Sequence, residues 1–226
     1  MIRDWKATAV LASPLAGDAP KLDALLQWEL ARRLGLKHHL KLTRNIPLSE
    51  IERVPVPIYM TNIAGHDVFR CSDPIIAPTL AEWTERQAKR IDTDLIATML
   101  APEYRKSLLT ASGPYKMLWR PTRVRLVGRI TWFFHGDRKE VNKLLKSVVA
   151  LGKRRGIGYG LVDHWEYEEA PEDWSIYAMQ HGKPVLMKTI PAGSHLQNVT
   201  GYTRSFGGAF PPYWHPETFM EIAIPC

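Results

Sequence analysis

The run Leu151–Val162, Leu-Gly-Lys-Arg-Arg-Gly-Ile-Gly-Tyr-Gly-Leu-Val, sets four glycines and three successive cations between a segment of helical periodicity and one of strand composition. Glycine permits backbone conformations and close approaches that a side chain blocks. Gly152, Gly156, Gly158 and Gly160 therefore predict a loop pressed against a neighbour, and Lys153, Arg154 and Arg155 predict that the neighbour is anionic. The order helix, glycine loop, strand excludes the dinucleotide fingerprint and the P-loop, which run strand, loop, helix and rest phosphate on the helix N-terminus. A glycine stop at the end of a helix explains Gly152 alone. It leaves the other three glycines, beside the cations, for anion binding.

The flanking elements follow from periodicity. Upstream of the loop, Asp137 caps a helix with Glu140 three residues on, a capping box, and Val141, Leu144, Leu145 and Val148 form its buried stripe. Downstream, Leu161 to Tyr167 reads as a strand. Before the helix, Arg123 to His135 alternates, with Val124, Leu126, Ile130, Trp132 and Phe134 on one face and Arg123, Arg125, Arg129 and Thr131 on the other. One face is expected to be core and the other a cationic surface.

In the N-terminal part, Trp5 to Ser13 reads as a first strand. Pro20 opens a helix whose Leu22, Leu25, Leu26, Leu30 and Leu34 keep helical spacing until Gly35. Val54 to Thr61, carrying Pro55 and Pro57, suits an edge strand, followed by a turn over Asn62–Asp67 and a returning strand over Val68–Ser72. Residues 73–122 read as an insertion, with helices expected over Thr79–Arg90 and near Asp94–Leu109. Its cations Arg86, Lys89, Arg90, Arg105, Lys106, Lys116 and Arg120 are interleaved with Trp83, Tyr104, Tyr115 and Trp119, the mixture that neutralises phosphate and stacks on unpaired bases. The tail, residues 170–226, holds a hairpin candidate, Ile176–Met179 with Val185–Thr189, a Gly207-Gly208 turn and a last strand Phe219–Ile224, and is read as a β-rich extension of one domain spanning residues 1–226.

Strand, helix, strand, insertion, strand, helix, glycine loop, strand is the ferredoxin-like, RRM-like order. It gives an α+β fold with two helices on one face of an antiparallel sheet. The RNA-recognition signature strand itself is absent.

Charge sharpens this picture. The chain carries a net +7, but residues 84–160 hold 17 Lys/Arg against 6 Asp/Glu, whereas residues 161–226 hold 3 against 8. A basic middle and an acidic end predict a polyanion on one surface and a protein neighbour on another. Two cysteines, Cys71 and Cys226, allow neither a disulfide framework nor a Cys-rich zinc site, and no apolar run has the length of a membrane span, so a cytoplasmic protein without metal or other cofactor is expected.

A ferredoxin-like core with a cationic glycine-rich loop before its last strand resembles the RAMP superfamily of CRISPR proteins. Leu11 to Leu26, Ser112-Gly113-Pro114-Tyr115-Lys116, the loop itself and the closing Pro-Pro-Tyr-Trp-His-Pro are together similar to the type IV effector-complex subunit that caps the 5′ end of the guide RNA. The resemblance implies a prokaryotic ribonucleoprotein subunit that grips the 5′ repeat-derived handle of a crRNA. It would dock on the first backbone subunit of the complex and meet target nucleic acid only indirectly. It implies handle contacts for Lys153, Arg154, Arg155, Gly156, Gly158 and Tyr159, with Arg123 and Arg125 on the sheet and Arg86, Lys89, Arg90 and Lys116 in a thumb-like insertion over residues 73–122.

The alternative is a metal-independent endoribonuclease that processes the repeat RNA, for which His38, His39, His135, His164 or Tyr159 would supply the base and a cation would stabilise the phosphorane. No sequence spacing ties any of them to a partner, and the expectation is a binding subunit without catalysis.

Overall fold

Alternation along β1 (Ile2–Leu11) sends Trp5, Ala7, Ala9 and Leu11 to one face, and that face carries the core. In the computed structural model, which describes residues 2–76, 78–89, 93–99 and 118–226, β1 lies between β8 (Arg129–Asp137) and β9 (Val162–Glu169), antiparallel to both. The short β5 (Ile75–Ile76) completes a four-stranded sheet of order β5-β8-β1-β9. Single bridges from Ile58 to Gly136 and from Cys71 to Phe134 extend that outer edge. The helices α1 (Leu22–Leu34) and α4 (Arg138–Leu145) supply Leu22, Leu25, Leu26, Val141, Leu144 and Leu145 to the same core. Trp132 at its centre is fully buried and donates its indole N–H to the Pro20 carbonyl at 3.1 Å. Burial of one such side chain stabilises the fold by roughly 1.5–3 kcal/mol.

Local signals explain the helix ends. Gly35 takes a left-handed φ of 70° at the end of α1, which stops it. Asp137 caps α4 by accepting from the Lys139 and Glu140 amides, while Glu140 pairs with Lys143 rather than closing the reciprocal half of the box.

Four expectations are corrected. The Arg123–His135 strand is two strands. It breaks at Val127-Gly128 into β8 and β7 (Leu118–Leu126), which belong to different sheets. Glycine at 128 and an unbroken alternation on either side hide the change of sheet. Thr79–Arg90 is not a helix, because β6 (Ala81–Lys89) pairs with β7 along its whole length, from Ala81↔Leu126 to Lys89↔Leu118. The helical preference of Glu, Gln, Ala and Lys is only a few tenths of a kcal/mol per residue and yields to a complete ladder. Val54–Thr61 forms no continuous strand; β3 (Met60–Ile63) turns through Ala64-Gly65 into β4 (His66–Phe69). Finally, the face of the central sheet opposite the core is not cationic. Lys6 pairs with Glu168, Arg129 with Glu166, and Thr8 with Thr131, so its charge is largely neutralised.

The Asp94–Leu109 helix is present as α3 (Thr93–Met99), and the rest of that expectation lies outside the described residues. The short α2 (Lys37–Leu40) follows α1, and β2 (Leu15–Ala16) joins β7 and β6 in a three-stranded sheet. The tail gives a hairpin, β10 (Tyr177–Gln180) with β11 (Lys183–Leu186), and a sheet of β12 (Ile190–Pro191), β14 (Phe219–Pro225) and β13 (Tyr202–Gly208). Gly207 and Gly208 are paired within β13 instead of turning.

A buried polar cluster fastens the tail to α1. Lys188, fully buried, donates to the Asp23 carboxylate at 3.0 Å, and the Tyr213 hydroxyl donates to the same oxygen at 2.6 Å. Burial alone would push the Asp23 carboxyl up, but Lys188 and Tyr213 outweigh it and hold it below the usual carboxylate range. Burial would likewise lower Lys188, and Asp23 instead raises it well above the ordinary lysine value. Among the described residues no helix is long and apolar enough to cross a membrane.

Candidate nucleic-acid interface

The glycine loop has a locked neck and an open tip. At the neck, the Leu151 amide donates to the Gly160 carbonyl, the Gly160 amide to Pro14, the Lys153 amide to Ala16 and the Leu161 amide to the Ser13 hydroxyl, at 2.7–2.8 Å. Gly152 and Gly160 take φ values of 75° and 64°, and a Cβ on either would overlap backbone, the Ala16 carbonyl or the Leu151 carbonyl. These two glycines are therefore pressed against their own chain, so that Gly160, read together with Gly156 and Gly158 as serving anion binding, serves the fold. At the tip, Arg155–Ile157 form a single 3-10 turn between the left-handed Arg154 and Gly158. A Cβ at Gly156 or Gly158 would meet nothing within 4 Å. Gly158 is explained by its φ of 93°, whereas Gly156 has neither a positive φ nor a close neighbour within the chain.

The three cations divide. Arg154 is largely buried. Its guanidinium donates to Glu85 at 2.8 Å and reaches the Arg120 carbonyl at 3.4 Å. The Tyr159 hydroxyl donates to the same Glu85 oxygen at 2.7 Å, and that hydrogen bond raises the tyrosine's pKa. Lys153 and Arg155 are exposed and have no ion pair among the described residues; the stem of Lys153 lies over Gly17. Glu85 is the residue that sequence reasoning missed. One acid among the cations of a basic segment carries no pattern, yet it joins the loop to the β6–β7 ribbon.

Alternation across the ribbon assigns the remaining residues. Arg86, Trp119, Arg123 and Arg125 share one face, while Trp83, Glu85 and Arg120 share the other. Arg86, Arg120, Trp83 and Trp119 are exposed. Arg123 is engaged by a fork of two 2.7 Å bonds to Glu82, and Arg125 is mostly buried against the Gly17 carbonyl and Asp18. Neither stands on the central sheet, where the sequence put them. Lys89 lies in β6 with its side chain outside the described ones, and Arg90 and Lys116 lie outside the described residues. The face that carries Glu85 adjoins the loop and presents the exposed Trp83 and Arg120, while Arg86 and Trp119 are exposed on the opposite face of the ribbon; among the described residues Lys153, Arg155, Arg86 and Arg120 have no ion pair.

Of the four histidines named as base candidates, the side chains of three have hydrogen-bond partners, and that of His38 has none among the described residues. His39 is buried, donates to the Glu52 carbonyl at 2.7 Å and meets Trp214 edge-on. His135 binds Asp4, and His164 binds Asp163 and Glu166 on β9, which raises its pKa.

Sequence comparison adds a family. The model of the family described as CRISPR type IV associated protein Csf3 matches residues 10–225. No curated protein sequence matches the chain.

Proposed function

The chain belongs to the Csf3 family of CRISPR type IV associated proteins, and we propose that within it the chain is the subunit that holds the 5′ repeat-derived handle of the crRNA. The loop, through Lys153 at its neck and Arg155 at its tip, neutralises phosphates. The ribbon continues the grip as the thumb, through Trp83 and Arg120 on the face that meets the loop and through Arg86 and Trp119 on the other. The observation that carries this reading is the loop itself, built rigidly at its neck yet leaving Lys153 exposed beside the neck and Arg155 and a bare glycine at its tip. The core is proposed to be ferredoxin-like, of the RAMP kind. In support, the sheet order β5-β8-β1-β9, antiparallel throughout, takes the chain's second, third, first and fourth core strands in turn, and α1 and α4 supply the same core. Docking on the backbone subunit of a type IV complex belongs to the same proposal.

Holding without cutting is part of it. A tyrosine whose hydroxyl donates a hydrogen bond to Glu85 and is thereby kept protonated is a poor general base at neutral pH.

The test is a titration of the purified protein with its own labelled repeat RNA in EDTA, read on native and denaturing gels across a salt series. Retention of intact RNA is expected. Lys153→Ala with Arg155→Ala should weaken binding roughly 10–100-fold and flatten the salt slope by about 1.4, two phosphates' worth for a single strand. An unchanged slope overturns the loop as the phosphate grip, and cutting at one phosphate overturns the non-catalytic reading.

A further inference from the structure

A cavity of about 640 Å³ opens between the Leu48–Val54 segment, the β3–β4 hairpin and the Phe210–Pro212 stretch. Its charges are unusual for this chain. Glu52, Asp67 and Glu217 stand in its wall against the single guanidinium of Arg53. Among the carboxylates whose side chains are described, only Glu50, Glu52, Asp67, Glu172 and Glu217 lack an ion pair, so the three in this wall are drawn from a small set. Asp67 and Glu217 are exposed at the mouth; Asp67 accepts one bond, from the Asn62 side-chain amide, and Glu217 one, from the Leu48 backbone amide, both at 3.1 Å, and the second oxygen of each has no partner among the described residues. The Glu52 Oε2 is buried and has no hydrogen bond among the described residues. A protein of net +7 leaves this recess unneutralised.

The wall also has a flat aromatic part, where His66 and Phe210 stack at 4.9 Å with 17° between their planes. The wall therefore suits an occupant that is cationic and rich in donors, with a plane that can extend the stack. A guanidinium meets all three conditions, because its fork of N–H groups matches carboxylates and its plane stacks on rings. An ammonium leaves the flat wall unused. A nucleotide brings phosphate toward carboxylates that are already unpaired, and like charges so placed are repelled.

We propose that this cavity receives an arginine side chain presented by a protein partner, and so forms a second docking point on the tail side of the molecule. The inference is independent of the RNA-binding reading, since neither the loop nor the ribbon lines the cavity.

The test titrates the full isotopically labelled chain with N-acetyl-arginine methylamide and follows the backbone amides of Glu52, His66 and Asp67 by NMR. A saturable shift is expected, with a Kd on the order of 1–10 mM for so small a probe. The response should fall about tenfold with the uncharged citrulline analogue, because the carboxylates see no charge. It should vanish in Glu52→Gln with Asp67→Asn, with the remaining spectrum unchanged. An equal response to citrulline or to the lysine analogue overturns the arginine assignment, as does the absence of saturable shifts. Tighter binding of guanosine 5′-monophosphate at the same amides would make this a nucleobase pocket instead.

Discussion

Two groups of cations in this chain live under opposite regimes. Lys188 is fully buried, with Asp23, Tyr213 and Cys71 within 3.0–3.5 Å of its ammonium. Lys153 and Arg155 are exposed on a loop whose backbone is bonded at its neck and whose cationic side chains, among the described residues, have no ion pair. The difference separates charge that builds the molecule from charge that is left over for something else. A buried cation must be paired or it destabilises the fold, so its partners sit within the chain. An exposed pair of cations on a pinned loop costs the fold little, which is the condition the proposed RNA contact needs.

Breaking the first regime has the largest effect. Lys188→Met strands the Asp23 carboxylate in the interior and should lower stability by about 3–5 kcal/mol, measured by urea unfolding. RNA affinity per folded molecule should not change. Replacing both partners, Lys188→Met with Asp23→Leu, should recover much of the loss. The pH dependence has a defined sign. Asp23 has its pKa depressed on folding, so its contribution is complete above the unfolded value of about 3.9 and is lost as pH falls through the folded one. Lys188 has its pKa raised, so its contribution is complete below about 10.4 and is lost as pH rises through the folded value. In the double variant both dependences should disappear.

The same division runs through the glycines of one loop. Gly160→Ala forces a Cβ into the Leu151 carbonyl at a left-handed φ and should cost about 2–3 kcal/mol in thermal or urea unfolding. Gly156→Ala meets open space at an ordinary φ and should leave stability within about 0.5 kcal/mol, or raise it slightly. If RNA backbone approaches the tip, it is this second variant whose binding suffers. Equal stability losses in both would erase the distinction between neck and tip.

How much of this was legible in the sequence depends on the range of the interaction. β1, β8, β9, α1, α4 and the loop could be read because their signals are local: periodicities of two and 3.6, a glycine stop, an aspartate cap. The second strand of the central sheet, β5, is two residues long, shows no period and lies in the stretch read as an insertion. The break at Val127-Gly128 was hidden because alternation continues across it, although Val124 and Trp132 serve different sheets. β6 was misread because Glu85, Gln87 and Lys89 favour helices and only pairing with β7 decides otherwise. Of the site, the loop's cations were found, but their division was not. Arg154, Arg123 and Arg125 are consumed by Glu85, Glu82 and Asp18 with the Gly17 carbonyl, partners as much as 108 residues away, and no spacing rule reports such pairs.

Glu85 is where the two regimes meet, and it gives the subtlest prediction. Its carboxylate holds Arg154 and Tyr159 and so keeps one of three loop cations on the structural side. Glu85→Gln preserves an acceptor for both groups but removes the charge. Because the pair is partly solvated, stability should fall by no more than about 1 kcal/mol. Arg154 is then freer to turn toward a ligand. If it takes up a phosphate, RNA affinity should rise a few-fold at low salt and the salt slope should steepen by about 0.7, the increment for one further single-strand phosphate contact. A slope that stays fixed would mean that Arg154 is held by the Arg120 carbonyl and the left-handed turn at its own backbone rather than by charge. A slope that flattens would mean that Glu85 does more than restrain, and that the link it makes between loop and ribbon is itself what the RNA requires.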